Sequence, residues 1–252
     1  MRILLSGATG QMGRTVTEVV AGRSGVEITG GVAEKEVQGG LFPIHRKFSD
    51  CELADVIIDF SSPMVLTGLL EYATNRKLPV VLAATGYSEA QEEEIREAAK
   101  EIAILKSGNL SMGVNILQKV AKELAHLLDG FDIEIVEKHH KLKKDSPSGT
   151  AKMLFDSVNE GRGGDLTSLQ GRGGFYDKRE ETEVGVSSIR GGTVVGEHSV
   201  LFYGLDEVIE ITHIAHSKKI FANGALQAAK FLLNRPAGLY NMTDVLSEEE
   251  GV

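Results

Sequence analysis

A short apolar run opens the chain and leads at once into a glycine-rich turn: Arg2-Ile3-Leu4-Leu5-Ser6, then Gly7-Ala8-Thr9-Gly10-Gln11-Met12-Gly13. The run from Arg2 to Ser6 predicts a buried strand, and the segment from Gly13 to Arg23 has the apolar spacing of a helix. A G-x-x-G-x-x-G turn between a strand and a helix lets the backbone approach a pyrophosphate closely, and the helix start offers unpaired N–H groups to it. The stretch therefore predicts a dinucleotide-binding βαβ unit, with a tight turn that binds nothing as the plainer alternative.

The alternation of short strands with helices continues over the first hundred residues. Strands are predicted at 26–33, 56–60, 79–84 and 102–106, and helices at 64–76 and 88–102. This order is typical of a parallel, doubly wound sheet. We therefore predict an α/β fold with a Rossmann-like dinucleotide-binding domain over residues 1–110.

From about Ser111 the pattern changes to that of a second domain. A helix is predicted at 115–128, a mobile glycine-rich loop at 161–174, and strands at 132–137, 184–190, 193–203 and 208–216. Gly191-Gly192 permits the positive φ angles of a two-residue hairpin turn between the strands that flank it. The prediction is an α+β substrate and oligomerisation domain over 111–218 with an open mixed sheet. A C-terminal segment, 219–252, with a helix at 220–233, is predicted to complete the first domain.

The composition excludes several classes of protein. The chain has 252 residues, a net charge of -9 and a single cysteine, Cys51. An acidic surface does not attract nucleic acid or anionic lipid, and one cysteine cannot build a disulfide framework or a cysteine-based metal cage. No apolar stretch approaches the roughly 20 residues that a membrane span needs. We predict a cytoplasmic protein without a metal and without nucleic-acid or membrane partners.

Glu34 and Lys35, at the end of the second predicted strand, bear on which dinucleotide binds. An acidic residue 21 positions after Gly13 can accept hydrogen bonds from both ribose hydroxyls of an adenosine, and it repels a 2′-phosphate. Lys35, and Arg14 just past the last glycine, would attract that phosphate. No Gly-Lys-Ser/Thr follows the turn, which disfavours ATP. We expect both NADH and NADPH to serve, with NADH somewhat favoured.

A strongly basic segment interrupts this otherwise acidic chain: Lys138-His139-His140-Lys141-Leu142-Lys143-Lys144. It leads directly into Asp145-Ser146-Pro147-Ser148-Gly149-Thr150-Ala151, which is typical of a helix start with either Ser146 or Ser148 as the N-cap. Lysines, hydroxyls and free helix N–H groups together form an anion site, and histidine is suited to supply a proton near neutral pH. These residues favour a small, multiply charged anionic substrate, and a solvated charged face is the alternative.

The segment from Glu137 to Ala151 resembles the E-x-H-H-x-x-K-x-D-x-P-S-G-T-A signature of the 4-hydroxy-tetrahydrodipicolinate (dihydrodipicolinate) reductases. Similar segments lie at 7–13, 84–86, 108–115, 210–213, 221–225 and 238–242, so the resemblance spans nearly the whole chain. It implies hydride transfer from NADH or NADPH to C4 of an unsaturated dicarboxylate, giving tetrahydrodipicolinate in diaminopimelate and lysine biosynthesis. It also implies a homotetramer assembled through the sheets of the second domain.

The resemblance implies roles for individual residues as well. His139 would be the proton donor or acceptor, with Lys143 as its catalytic partner. The substrate carboxylates would be held by His140, Lys143, Ser148, Gly149 and Thr150. The dinucleotide would be lined by Gly7, Ala8, Gly10, Gln11, Met12, Glu34, Lys35, Ala84, Thr85, Gly86, Ser107, Asn109 and Leu110. Lys35 stands where the family often has arginine, and it is a monodentate partner for a 2′-phosphate.

Two other functions remain open on the sequence. An aspartate or homoserine dehydrogenase would share the glycine turn but is not expected to carry the His-His-x-x-Lys and Ser-Gly-Thr string. A non-catalytic dinucleotide sensor or scaffold would need no buried titratable cluster, so replacing His139 by glutamine would leave its behaviour unchanged.

Overall fold

The computed structural model of the chain describes residues 1–35, 37, 40–175 and 178–249. It divides into two compact units. One is built from the residues before Gly113 together with those from Lys218 onward, and the other spans Gly113–Ser217. Among the described helices, none is both long and apolar enough to cross a membrane.

The first unit is a seven-stranded sheet in which every pair of neighbouring strands is parallel. Numbered along the chain, its strands are β1 (Arg2–Ser6), β2 (Glu27–Val32), β3 (Ile44–His45), β4 (Val56–Asp59), β5 (Val80–Leu82), β6 (Ala103–Lys106) and β12 (Gly238–Tyr240). Its helices are α1 (Gln11–Ala21), α2 (Leu66–Arg76), α3 (Glu89–Ala99), α6 (Lys219–Leu232) and α7 (Met242–Glu249). The strand order β12-β6-β5-β4-β1-β2-β3 confirms the predicted Rossmann-like α/β fold class.

Apolar side chains cover both faces of this sheet. Ile3 and Leu5 of β1 point into a core shared with α1 and α6, whereas Leu4 points into a second core shared with α2 and α3. Strands that are buried on both faces read as continuous apolar runs, which is why β1 and β4 are evident in the sequence. Most of the α6 face that contains Ala225 and Leu226 is buried in the first core.

The second unit packs helices on one face of a five-stranded mixed sheet. Its helices are α4, which begins at the boundary between the units (Met112–Leu127), and α5 (Gly149–Gly161). Its strands are β7 (Asp132–His139), β8 (Thr167–Gln170), β9 (Glu183–Arg190), β10 (Gly196–Tyr203) and β11 (Val208–Ala215), in the order β11-β10-β7-β9-β8. Ile133 and Ile135 of β7 pack against Leu154 of α5 in the core of this unit. The predicted open mixed sheet is therefore confirmed.

Two sequence predictions for this unit are wrong. Gly191-Gly192 is not a two-residue hairpin turn, because β9 and β10 lie on opposite sides of β7 and do not pair with each other. Instead Gly191 N donates to His139 O, which ties the turn to the end of β7. The predicted loop at 161–174 contains strand β8, which pairs in parallel with β9. This edge strand is mostly exposed, so it lacks the apolar alternation that marks a half-buried strand.

Gly224 of α6 lies against the backbone at the end of the Ser107–Leu110 turn. A Cβ atom at this position would overlap the carbonyl oxygen of Leu110, so alanine must push the helix away from the core. We expect Gly224→Ala to lower the free energy of unfolding by about 3 kcal/mol, as overpacking does. Urea unfolding followed by circular dichroism measures this.

Gly68 provides the matched control, because it also lies within a helix, α2, but is exposed and has no atom within 4 Å of its Cβ position. Gly68→Ala should raise the stability by roughly 0.5–1 kcal/mol, since alanine is the better helix former. Equal effects of the two substitutions would contradict the close approach at Leu110.

Candidate active site

The glycine turn of the first unit lies where β1 ends and α1 begins. Gly7 has a φ of +76°, and a Cβ atom there would lie 2.7 Å from the carbonyl oxygen of Phe60. A Cβ atom at Gly13 would overlap the carbonyl oxygen of Gly7. Within the described part of the chain, no side chain caps α1 at Gly10. The turn is thus a cradle that a side chain would fill, with helix N–H groups left for a phosphate.

A groove of about 1090 Å³ adjoins this turn and fits a dinucleotide in size. Gly7 and Gly10 line one part of it, and Glu34, Lys35 and Arg46 line another. The predicted ribose-binding acid and its neighbouring cation therefore share one groove with the glycines. Arg14, the other cation suggested by the sequence, is not among the residues that line it.

Arg46 was missed by the sequence analysis. It follows β3, a two-residue strand that pairs in parallel with the end of β2, and Ala33 N donates to His45 O. This pairing carries Arg46 to the edge of the sheet where Glu34 lies. A two-residue strand leaves no pattern in a sequence, so no signal in the chain could have placed Arg46 there.

The other predicted dinucleotide residues lie at several places in the first unit, and four of them line a second cavity. Met12, Ser107, Asn109 and Leu110 line a cavity of about 270 Å³ together with Ala83 and Lys218. The side chain of Gln11 accepts a hydrogen bond of 2.7 Å from Lys218 Nζ. Ala84, Thr85 and Gly86 follow β5, and the Thr85 methyl lies 3.8 Å from the Cβ position of Gly108. Ala8 is buried, its N–H donates to Val32 O, and its methyl group belongs to the first core.

In the second unit, the end of β7 carries a buried ionic cluster. Strand alternation puts Glu137 and His139 on the core-facing side of β7, and they are 0% and 8% exposed. Both terminal guanidinium nitrogens of Arg190 donate to Glu137, each at 2.7 Å. Ser148 N donates to Glu137 Oε1 at 3.1 Å, and His139 Nδ1 lies 2.6 Å from Glu137 Oε2. Glu137 thus joins β7, β9 and the start of α5.

The protonation states in this cluster follow from its contacts. Burial alone would raise the pKa of Glu137, but hydrogen bonds from Arg190 and His139 outweigh it and lower that pKa to about 2. Burial lowers the pKa of His139, and the positive charges of Lys143 and Arg190 add to this, while Glu137 opposes it. Near neutral pH the carboxylate is therefore ionised and the imidazole is mostly neutral.

His198 of β10 is a second buried histidine, which the sequence analysis missed. In the antiparallel register it lies beside Glu137, and its ring meets the ring of His139 edge-on with 5.1 Å between centroids. Its Nε2 lies 2.9 Å from the hydroxyl of Ser148, and burial lowers its pKa to about 4. His198 is far from the signature along the chain, so only the pairing of β7 with β10 could have identified it.

Ser148, and not Ser146, is the N-cap of α5. Its hydroxyl accepts a hydrogen bond from Ala151 N, and the helix begins at Gly149, so Pro147 lies before the helix. This hydroxyl is buried and makes its contacts to Ala151 and His198, so it stabilises the start of the helix from the protein interior. The Cβ position of Gly149 has no atom within 4 Å, which leaves open space at the helix N-terminus.

The loop between β7 and α5 carries the remaining predicted substrate residues. Lys143 Nζ lies 2.9 Å from Asp145, and Lys143 N donates to His140 O. His140 Nδ1 is buried without a hydrogen-bond partner among the described residues. Thr150 is half-buried in the first turn of α5. The loop therefore places cationic and polar groups next to the buried cluster. Across the described residues, no group of three or more His, Cys, Asp or Glu side chains could hold a metal ion.

Comparison with known proteins identifies the family. Residues 1–110 match the family model described as dihydrodipicolinate reductase, N-terminus, and residues 113–246 match the model of its C-terminus. The chain belongs to the dihydrodipicolinate reductase family. It is 43% identical over 249 residues to the 4-hydroxy-tetrahydrodipicolinate reductase of Caldanaerobacter subterraneus subsp. tengcongensis, covering 98% of this chain and 99% of that one. The reductase of Clostridium tetani is 42% identical over 252 residues, covering 98% and 97%.

Solved structures agree on the fold. The dihydrodipicolinate reductase of Paenisporosarcina sp. TG-14, described as bound to dipicolinate, superposes with a TM-score of 0.79 at 19% identity, covering 96% of this chain and 97% of that one. Membership of the dihydrodipicolinate reductase family makes the chain an NAD(P)H-dependent oxidoreductase of diaminopimelate and lysine biosynthesis. The predicted resemblance and the predicted enzyme class are confirmed.

The lowered pKa of His198 makes the folded protein less stable in mild acid. Its ordinary pKa is 6.5 and its folded value is about 4, so between these values the unfolded chain binds a proton that the folded chain does not. This stabilising contribution is complete above pH 6.5 and is lost as the pH falls towards 4. The loss of stability between pH 7 and pH 5 amounts to about 2 kcal/mol.

In His198→Gln this residue no longer titrates, and we expect urea unfolding to show a correspondingly smaller loss of stability between pH 7 and pH 5. His216→Gln, which replaces an exposed histidine that follows β11, is the control and should keep the wild-type loss. An equal loss in His198→Gln and the wild type would contradict the assignment.

Proposed function

We propose that this chain reduces 4-hydroxy-tetrahydrodipicolinate to tetrahydrodipicolinate. The C4 hydroxyl would leave as water, and NADH or NADPH would transfer a hydride to C4 of the resulting unsaturated ring, with protonation assisted by His139 and Lys143. The first unit would bind the dinucleotide, and the second unit, over about residues 111–218, would bind the substrate. The observation that carries this proposal is the buried cluster of Glu137, His139 and Arg190 beside a lysine-rich loop. A protein that only sensed a dinucleotide would not need it.

Positive charge in the second unit supports a dicarboxylate substrate. His140 and Lys143 lie in one loop, and the open N-terminus of α5 at Gly149 and Thr150 follows it directly. Helix N–H groups and a lysine ammonium are common carboxylate partners. Lys143 is paired with the mostly exposed Asp145 carboxylate, which a substrate carboxylate would replace. The reductase described as bound to dipicolinate supports a ligand of this class.

His139 is suited to hold or release a proton at Nε2. Its Nδ1 is hydrogen-bonded to Glu137, and its lowered pKa keeps the ring mostly neutral near pH 7. The ring can therefore take part in proton transfer in either direction. Lys143 places a fixed positive charge nearby, which stabilises negative charge that develops on the substrate. When bound, the dinucleotide supplies the hydride.

Both NADH and NADPH would serve as the reductant. Glu34 can accept hydrogen bonds from the ribose hydroxyls of NADH, whereas Lys35 and Arg46 in the same groove can pair with the 2′-phosphate of NADPH. Arg46 adds the bidentate donor that Lys35 cannot provide. The groove therefore holds partners for either form.

We also propose a cytoplasmic homotetramer that assembles through the outer face of the second sheet. Ile189, Val208 and Ile214 expose 49%, 52% and 51% of their surface on β9 and β11, and Tyr203 of β10 exposes 40%. Exposed apolar side chains among charged ones on one sheet face are typical of an interface between subunits. Sedimentation equilibrium of the full chain tests the number of subunits.

The activity is tested by substitutions in the basic loop. We expect Lys143→Ala and His139→Gln each to lower kcat by roughly a hundredfold or more, because each removes a group that stabilises charge or moves the proton. The measurement is the loss of NADH absorbance, with the substrate made in situ from pyruvate and aspartate semialdehyde by its synthase. Lys144→Ala is the matched control, an exposed lysine next in the same loop, and should retain activity.

Two outcomes would overturn the proposed function. Undiminished turnover in His139→Gln would remove the proton role from this cluster. A folded chain that binds NADH, oxidises none with this substrate and acts on aspartate or homoserine would be a dehydrogenase of another class.

Arg46 tests the choice between the two dinucleotides. We expect Arg46→Ser to raise the KM for NADPH about tenfold, the effect of losing one charge-assisted hydrogen bond, and to leave the KM for NADH within about twofold. Steady-state kinetics with both reductants measure this. Lys47→Ser is the control, since Lys47 is exposed and is not among the residues lining the groove. An equal rise for both reductants would contradict a 2′-phosphate contact at Arg46.

A further inference from the structure

We propose that Glu137 and Arg190 act together as positioning residues, which hold the His139 ring with its hydrogen on Nδ1 and leave Nε2 as the nitrogen that exchanges the proton. The inference rests on the proposed function, in which His139 moves a proton. Neither Glu137 nor Arg190 was among the site residues that the sequence predicted.

Four hydrogen bonds from three residues hold Glu137 in place. Its two oxygens accept hydrogen bonds from both terminal nitrogens of Arg190, from Ser148 N and from His139 Nδ1. Arg190 is fixed in turn, because it also donates to the backbone oxygens of Ile189 and Asp145. An ionised carboxylate has about four acceptor sites, so this set leaves Glu137 no freedom to rotate away from His139.

The contact with Glu137 decides which nitrogen of His139 carries the hydrogen. The carboxylate is ionised and can only accept, so at 2.6 Å the Nδ1 atom must be the donor. A neutral ring then has its lone pair on Nε2. A Cβ atom at Gly196 would lie 3.1 Å from this Nε2, so the glycine leaves space beside it. The neighbouring His198 directs its own Nε2 to the Ser148 hydroxyl.

Arg190 also limits how tightly His139 holds a proton. A buried carboxylate alone would stabilise the imidazolium and keep the ring charged. The charged and titratable groups that face His139 are Glu137 on its own strand, Arg190 on β9, His198 on β10 and Lys143 in the following loop. From α5 it is Ser148, which is uncharged, that joins the cluster. Arg190 therefore lets Glu137 orient the ring without fixing it in the charged form.

Glu137→Gln tests the orientation, because a glutamine side chain of the same shape can either accept from Nδ1–H or donate to Nδ1. In the wild type, ¹⁵N NMR of labelled histidine above neutral pH should show His139 as the Nδ1–H form alone. In the variant it should show both forms, with kcat lower by about tenfold to hundredfold and the substrate KM within about twofold. Glu134→Gln is the matched control, since Glu134 pairs with Arg172 at 2.8 Å on the opposite face of β7.

Arg190→Met provides a second test that does not depend on the fate of Glu137→Gln. With the guanidinium removed, the lone carboxylate should hold His139 protonated, so the ¹⁵N titration of His139 should move to higher pH. Arg190→Lys keeps the positive charge but loses the bidentate contact with Glu137, and it should return the titration of His139 towards its wild-type position.

The outcomes separate this inference from the proposed function. A single Nδ1–H form with unchanged kcat in Glu137→Gln, an Nε2–H form in the wild type, or an unmoved titration in Arg190→Met would each overturn it. Loss of turnover in His139→Gln together with wild-type behaviour of Glu137→Gln would overturn the positioning role alone. Full turnover in His139→Gln would overturn the proposed function. The ¹⁵N NMR measurements on the other variants would still show how Glu137 and Arg190 orient the His139 ring.

Discussion

The second unit is organised around one ionised carboxylate that has no contact with water. Burying such a charge costs several kcal/mol unless its acceptor sites are filled. Glu137 meets this condition only when β9 supplies Arg190 and Ser148 is held in place as the N-cap of α5. The same requirement fixes His139, which is the remaining donor. The contacts that make the carboxylate tolerable in the core are therefore the contacts that assemble the site.

The ligand binding proposed for the two units depends on opposite physical features. In the first unit the decisive feature is the absence of side chains, because the cradle at Gly7 and Gly13 exists only where no Cβ atom fills it. In the second unit the decisive feature is charge. Positive charge is concentrated in the basic loop, and the buried carboxylate of Glu137 supplies negative charge next to it. In the proposed function, the first unit would bind the redox cofactor and the second unit the small dianion, and each unit has the feature that its ligand would require.

The sequence reveals what depends on local pattern and hides what depends on distant pairing. The strand–glycine–helix start and the signature from Glu137 to Ala151 are contiguous, and they were sufficient for the fold class and the family. Arg46, Arg190 and His198 reach their places only through strand pairing, so no spacing rule could find them. The failed hairpin has the same cause, since Gly191-Gly192 suits a tight turn whether or not its flanking strands pair with each other. Strand β8 was missed because an exposed edge strand needs no apolar alternation.

The position of α6 along the chain limits the order in which the parts of the protein can fold during synthesis. This helix belongs to the core of the first unit, yet it follows the entire second unit in sequence. As the chain leaves the ribosome, the sheet face that α6 covers stays open to water while residues 113–217 emerge. β7 likewise waits for β9 and β10, which are made much later. Pairings of such long range close slowly and expose apolar surface in the interval. The first unit can therefore complete its core only after the whole second unit has been synthesised.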